Sequence, residues 1–246
     1  MIDELIRYLG NWRNRETVLE LLVVHARLAL LPLLIGLLAA LPLGWAAQRY
    51  RPLRAMLLGS ANVLYTVPSL ALFVILPGIL GTQILDEINV VVALALYTAA
   101  LLIRPVVEAL DAVPGHVLAA ATAMGYRPLR RFLTVELPLA VPVLAAGVRV
   151  ASVSNISLVS VGALIGVGGL GQLFTQGFQA SYNAPIIVGV ALTLLLALVM
   201  DALLSLAKAL LTPWQPRRAR PTGPAQPTGP AESAEPAQPR PTGGEA

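Results

Sequence analysis

Gly166, Gly168 and Gly171 stand at the spacing G-x-G-x-x-G. Inside a strand–turn–helix unit that spacing cradles the pyrophosphate of a dinucleotide. Here no βαβ pattern surrounds it, and no Lys-Ser/Thr pair follows to make a P-loop. The glycines read instead as a sharp turn at the end of an apolar segment. His25 and His116 lie far apart with no metal-ligand spacing. With no cysteine, disulfides, thiolate metal sites and a Cys nucleophile are excluded. No histidine is placed to activate a serine. What remains is Arg149 and Asp201, two charges inside long apolar stretches, and the polar run Ser152, Ser154, Asn155, Ser157 and Ser160 beside the first.

The elements that carry these residues are apolar. Of 246 residues 57% are hydrophobic and only 12% charged, which excludes an ordinary soluble enzyme and points to several membrane helices. Five apolar segments, 21–47, 55–80, 88–110, 139–165 and 184–211, each reach the roughly 20 residues that cross about 30 Å of hydrocarbon. They must be helical, because lipid satisfies no backbone polar group. The expected fold class is therefore all-α, a polytopic membrane bundle of about five transmembrane helices. A sixth arises if the second segment breaks at Pro68 or Pro77. Pro42, Pro68, Pro77 and Pro105 mark hinges or helix ends. Residues 1–20 form an N-terminal amphipathic segment with Ile2, Leu5, Ile6 and Leu9 at helical spacing and no signal-peptide pattern. From 213 to 246 Pro, Gly, Ala, Thr and Glu dominate, which reads as a disordered tail.

Charges at bilayer depth must face protein or water. Arg149 and Asp201 are thus a gate or pathway contact, or a structural pair. Ser152 with Asn155, and Ser157 with Ser160, share a face at i, i+3, which lines a polar path or bonds to a neighbouring helix. Orientation follows from arginine. Arg49, Arg51 and Arg54, then Arg127, Arg130 and Arg131, then Arg217, Arg218 and Arg220 all fall on one side of five spans. The positive-inside rule makes that side cytoplasmic, with the N-terminus out and the C-terminus in. Arg7, Arg13, Arg15 and Arg27 fall near the other face, accompanied by Asp3, Glu4, Glu16 and Glu20. No basic run is interleaved with aromatics, so no nucleic-acid partner is expected.

The longest polar interruption lies between the third and fourth spans. Pro114 can begin a helix over about 114–124 and Gly125 can end it. Pro128 then starts a second helix with Leu129, Phe132 and Leu133 among Arg127, Arg130 and Arg131, and Pro138 begins the next span. The product is a bent, rigid lever with a knob at its tip, fit to dock a soluble partner. A basic amphipathic loop of this kind would also suit membrane lipid.

The segment LAAATAMGYRPLRRFLTVELP resembles the cytoplasmic signature loop of binding-protein-dependent ABC importer permeases. That signature reads Glu-Ala-Ala, three residues, Gly, nine residues, Ile, one residue, Leu-Pro. Ala120, Ala121, Gly125, Leu137 and Pro138 match in register, Val135 stands for Ile, and Ala119 replaces the Glu. The resemblance implies that 111–138, including Tyr126, Arg127, Pro128, Leu129, Arg130, Arg131 and Phe132, seats an ATPase. Two further stretches, NVLYTVPSLAL around Pro68 and Ser69 and LIGVGGLG at 164–171, are similar to glycine betaine, choline and carnitine permeases.

The resemblance implies a methionine-permease-like transmembrane domain over 21–212, in the bacterial inner membrane. It implies a non-catalytic subunit that binds no cofactor, with ATP and Mg used by a cytoplasmic ABC ATPase. A second permease copy or paralogue and a separate extracytoplasmic binding protein complete the expected importer of a small osmoprotectant. An ABC permease for another solute such as methionine, and an ion-coupled secondary transporter, are the competing readings.

Overall fold

The computed structural model describes residues 2–214; the tail expected over 213–246 lies outside the described residues from 215 onward. The first compact unit, Met1–Pro213, holds every helix among the described residues, and no regular element there is a strand.

The amphipathic start is divided. Helix α1 (Ile2–Gly10) ends at Gly10, and α2 (Trp12–Arg49) begins at once. Extended Asn11 caps α2, its side chain accepting from the Arg13 N–H at 3.0 Å. The expectation of one segment over 1–20 is therefore corrected: from Trp12 the chain already belongs to the first long helix. At 1.5 Å per residue its 38 residues extend about 57 Å, nearly twice the hydrocarbon thickness. Arg27 pairs with Glu87 at the start of α5, so residues before Arg27 stand beyond that level.

The second apolar segment is not one straight span. It is α3 (Arg51–Thr66) and α4 (Ser69–Leu80), bent by 104°. Pro68 explains the break. It has no N–H for the ladder, and its ring forces the preceding Val67 into an extended conformation, ψ 130°. The Tyr97 hydroxyl of α5 donates to the freed Val67 carbonyl. With 16 and 12 residues, α3 and α4 reach about 24 and 18 Å, too short to cross singly, so no sixth span results. Pro42, Pro77 and Pro105 lie inside helices, not at their ends.

Helix α5 (Glu87–Asp111) is the centre of the bundle. Asp86 caps it through the Ile88 N–H at 3.1 Å, and most of its length is buried. Helix α2 lies against it with glycines facing the Thr98 and Val106 side chains of α5. A Cβ at Gly36 would sit 2.4 Å from Thr98 Cβ, and one at Gly44 2.4 Å from a Val106 methyl. Gly36, Ala40 and Gly44 thus form a small-residue stripe that brings the two backbones together.

After α5 come α6 (Gly115–Ala123), a turn at residues 124–127, α7 (Pro128–Arg131), one π-helical turn (Phe132–Glu136) and α8 (Leu137–Gly162). Residues Pro128–Ile165 form one continuous span, so the fourth span does not begin at Pro138 as expected. Pro138 has no N–H for the Thr134 carbonyl and its ring crowds that group. The wider turn, in which the Leu137 N–H bonds the Phe132 carbonyl, accommodates this.

At the far end of α8 a 3-10 turn (Ala163–Ile165) leads into Gly166, φ 83°, and Gly169, φ 102°. His25 of α2 is completely buried under this turn. Its Nδ1 accepts from the Leu170 N–H at 3.1 Å, so Nε2 carries the proton and donates to the Ile156 carbonyl at 2.9 Å. One neutral imidazole thereby pins α2, α8 and the glycine turn together. Short α9 (Gly171–Gln179) and long α10 (Asn183–Leu211) complete the unit. Largely apolar apart from Asp201 and Lys208, α10 buries only Ala184, Pro185, Val188 and Gly189, which leaves most of its surface for lipid or a second chain.

Candidate functional site

The loop between α5 and α8 folds as an elbow. Helix α6 closes with the Tyr126 N–H on the Ala121 carbonyl and the Gly125 N–H on the Thr122 carbonyl. Gly125 sits at φ 80°, the left-handed region that reverses a chain after a helix. Nothing lies within 4 Å of where its Cβ would be, so the requirement is backbone conformation and not space.

Around the bend, Met124, Leu129 and Leu133 are exposed, as are Arg127 and Arg130. The Arg130 guanidinium lies 4.9 Å from the Tyr126 ring centroid. Phe132, expected in the knob, is instead 5% exposed and packs on Trp45 with ring centroids 5.1 Å apart. The π turn directs it inward as an anchor. Ala119 and Ala120 face solvent and Ala121 is buried. Leu137 and Pro138 are half-buried where the loop enters α8. Two polar partners escaped the sequence reading. Arg131 Nε donates to Glu136 Oε1 at 2.6 Å, and Nη1 donates to Thr122 Oγ1 at 2.8 Å.

The structure joins Arg149 and Asp201 across the α8–α10 seam. Arg149 Nε and Nη2 each meet one Asp201 oxygen at 2.5 Å, a bidentate pair. Their side chains are 43% and 35% exposed and line a hollow of about 430 Å³ with Ala146, Val150, Val153 and Ser154. Asn155 turns the other way, into the bundle. It accepts from Thr98 Oγ1 at 3.0 Å and donates to the Ala29 carbonyl at 3.2 Å, tying α2, α5 and α8 together. Ser152 is buried beside it, while Ser160 Oγ is buried without a partner among the described residues. Pro68 is exposed and Ser69 half-buried at the bend between α3 and α4, far along the chain from the α8–α10 pair. Among the described residues no group of acidic, His or Cys side chains could hold a metal ion.

The family model of "binding-protein-dependent transport system inner membrane component" matches residues 33–211. The chain belongs to this family. The matched stretch runs from within α2 to the end of α10 and contains both the elbow and the Arg149–Asp201 seam. Among relatives of this permease component, the osmoprotectant import permease protein OsmW of Salmonella typhimurium is 34% identical over 81% of the chain and 94% of its own. The glycine betaine/carnitine/choline transport system permease protein OpuCD of Bacillus subtilis is 30% identical over 85% and 92%. The fold is that of the MetNI methionine ABC transporter in an inward-facing conformation, at TM-score 0.69 and 22% identity, covering 84% of this chain and 100% of that one. Such a permease component is a multi-pass inner-membrane protein of an ABC transport system.

Proposed function

We propose that this permease component is the membrane subunit of an ATP-driven importer for a small osmoprotectant such as glycine betaine, choline, carnitine or proline betaine. The observation that carries the reading is the elbow, which presents an apolar tip of Met124, Leu129 and Leu133 together with the exposed Arg127 and Arg130, with Phe132 anchored in the span behind it. An ATPase subunit seats there on the cytoplasmic side, and the arginines at that end of the helices agree with a cytoplasmic C-terminus. The Glu that the family signature places at Ala119 is absent, so seating rests on shape, the arginines and the apolar tip. The solute class follows the printed functions of the relatives similar over most of the chain.

A single chain encloses no pathway, and the half-exposed charges at the α8–α10 seam support placing a second one there. One flank carries the half-exposed Arg149–Asp201 pair, an arrangement unfavourable against lipid. The opposite flank, with α2, is an apolar groove of about 270 Å³ lined by Leu37, Leu41, Val141, Leu144 and Leu204. The charged flank faces the second permease subunit across a hydrated path, and the apolar flank faces lipid. In the cycle a separate binding protein delivers solute outside, ATP closes the ATPase pair, and the elbow transmits that closure to the spans. Closure moves the spans only because the elbow is held differently in the two states. The residues here bind and transmit; hydrolysis belongs to the partner.

The charge pair gives a prediction. Asp201→Asn should lower uptake several-fold, because Arg149 is left without its counter-charge at membrane depth. Arg149→Asp combined with Asp201→Arg should recover most of it. Initial uptake rates in vesicles test this, and a double variant no better than the singles rules out pairing as the function of these charges.

The proposed function is tested by uptake into vesicles holding permease, ATPase and binding protein. Saturable, ATP-dependent uptake of labelled glycine betaine, competed by choline or carnitine, is the expected result. Methionine uptake without betaine uptake overturns the solute class. Uptake that ignores ATP and follows the proton gradient overturns the ATPase coupling.

A further inference from the structure

We propose that Arg131 is a positioning residue, a strut holding the elbow between α6 and α8 at one angle, so that ATPase motion reaches the spans instead of flexing the loop. This rests on the reading of the loop as the ATPase seat. The bend itself is closed by the backbone hydrogen bonds of the Gly125 and Tyr126 N–H groups. Gly125 is a solvent-exposed glycine in the left-handed region, with nothing within 4 Å of where its Cβ would stand. Among the described residues, one side-chain hydrogen bond crosses from α6 to the helix that follows, from Arg131 to Thr122 at 2.8 Å.

Arg131 can serve because it is fixed from the other side. Glu136 is 2% exposed, and a carboxylate that deep needs a partner. Residues five apart on an α-helix lie about 140° apart around the axis and do not meet. The π turn Phe132–Glu136 widens the helix and brings Glu136 round to Arg131, with Nε–Oε1 at 2.6 Å. The guanidinium is a rigid planar fork, so fixing Nε on Glu136 also aims Nη1. At the other end, the Thr122 hydroxyl donates to the Leu118 carbonyl at 2.8 Å, which leaves its lone pairs for Arg131. The outcome is a closed triangle of α6, the bend and the foot of α8. Phe132 on Trp45 anchors its base to α2. A pair serving only to neutralise Glu136 would have no need of Thr122.

The measurement is ATP hydrolysed per solute taken up by the vesicle-reconstituted complex. Thr122→Val removes the acceptor at an exposed site and leaves the ion pair alone. The ratio should rise about fivefold, the weight of one ordinary hydrogen bond. Thr122→Ser should restore the ratio. Arg131→Met with Glu136→Leu removes both charges and keeps the buried site filled, and should raise the ratio at least as far. If that double variant fails to insert, Thr122→Val decides alone. An unchanged ratio in Thr122→Val overturns the strut. So does a proportional fall of uptake and hydrolysis, which is what simple loss of folded protein produces. Wild-type vesicles showing no solute-linked hydrolysis would instead overturn the parent reading of the loop.

Discussion

Gly125→Asp is expected to abolish uptake while the protein still inserts in the membrane. At φ 80° an L-residue costs about 1–2 kcal/mol, and Asp is among the side chains that tolerate this region best. With nothing within 4 Å of the new Cβ, no clash is added, so the helices should assemble. The effect falls on the proposed docking surface. On the proposed seat, a carboxylate two residues before Arg127 adds a negative charge at the exposed bend, where the proposed partner would make contact. Uptake assays, paired with accessibility labelling of both membrane faces, separate loss of coupling from loss of insertion. Normal uptake by Gly125→Asp would remove the bend from the mechanism. Ala119→Glu, by contrast, should be tolerated, because position 119 faces solvent and the substitution restores the residue of the family signature.

Gly36→Leu should have the largest effect on stability. A Cβ there already meets Thr98 Cβ at 2.4 Å and the Ala95 backbone oxygen at 2.8 Å, so a longer side chain must force α2 from α5. Overpacking of this kind costs about 1–3 kcal/mol, and here backbone gives way as well as side chain. Displacing Thr98 also loosens its hydrogen bond to Asn155, so α8 is affected through the same contact. A fall of several degrees in the melting temperature in detergent is the expected reading. Gly59→Ala on α3 is the control, since nothing lies within 4 Å of its Cβ and helix propensity favours Ala. Equal melting temperatures for Gly36→Leu and wild type would mean that α2 and α5 are not in close contact.

Much of this architecture is legible from residue type alone. Apolar length marks the spans, Pro68 marks the break in the second, and Pro114, Gly125 and Pro128 mark the two helices of the elbow and its bend. Each of these acts locally, through φ or a missing N–H. What escaped depends on register or distance. The inward turn of Phe132 and the meeting of Arg131 with Glu136 follow from a π turn, whose only sequence trace is Pro138 one residue beyond Leu137. The continuation of α2 back to Trp12 was masked by the charges at Arg13, Arg15, Glu16 and Glu20, which look like a separate amphipathic piece until Asn11 is seen as a cap. The structural role of His25 is not visible in the sequence because its partners, Ile156 and Leu170, lie more than a hundred residues away.

The unbroken length of α2 has a mechanical consequence. Its tight contact with α5, from Gly36 to Gly44, centres on Ala40, which lies 28 residues from Trp12 and 9 from Arg49, arms of about 42 and 14 Å. Any tilt about that point makes the helix a see-saw with unequal arms. A displacement of the Arg49 end is returned at the Trp12 end in the opposite direction and about tripled. The small ring-on-ring contact of Trp45 with Phe132 therefore lies on the short arm, and the Trp12 end moves on the long one.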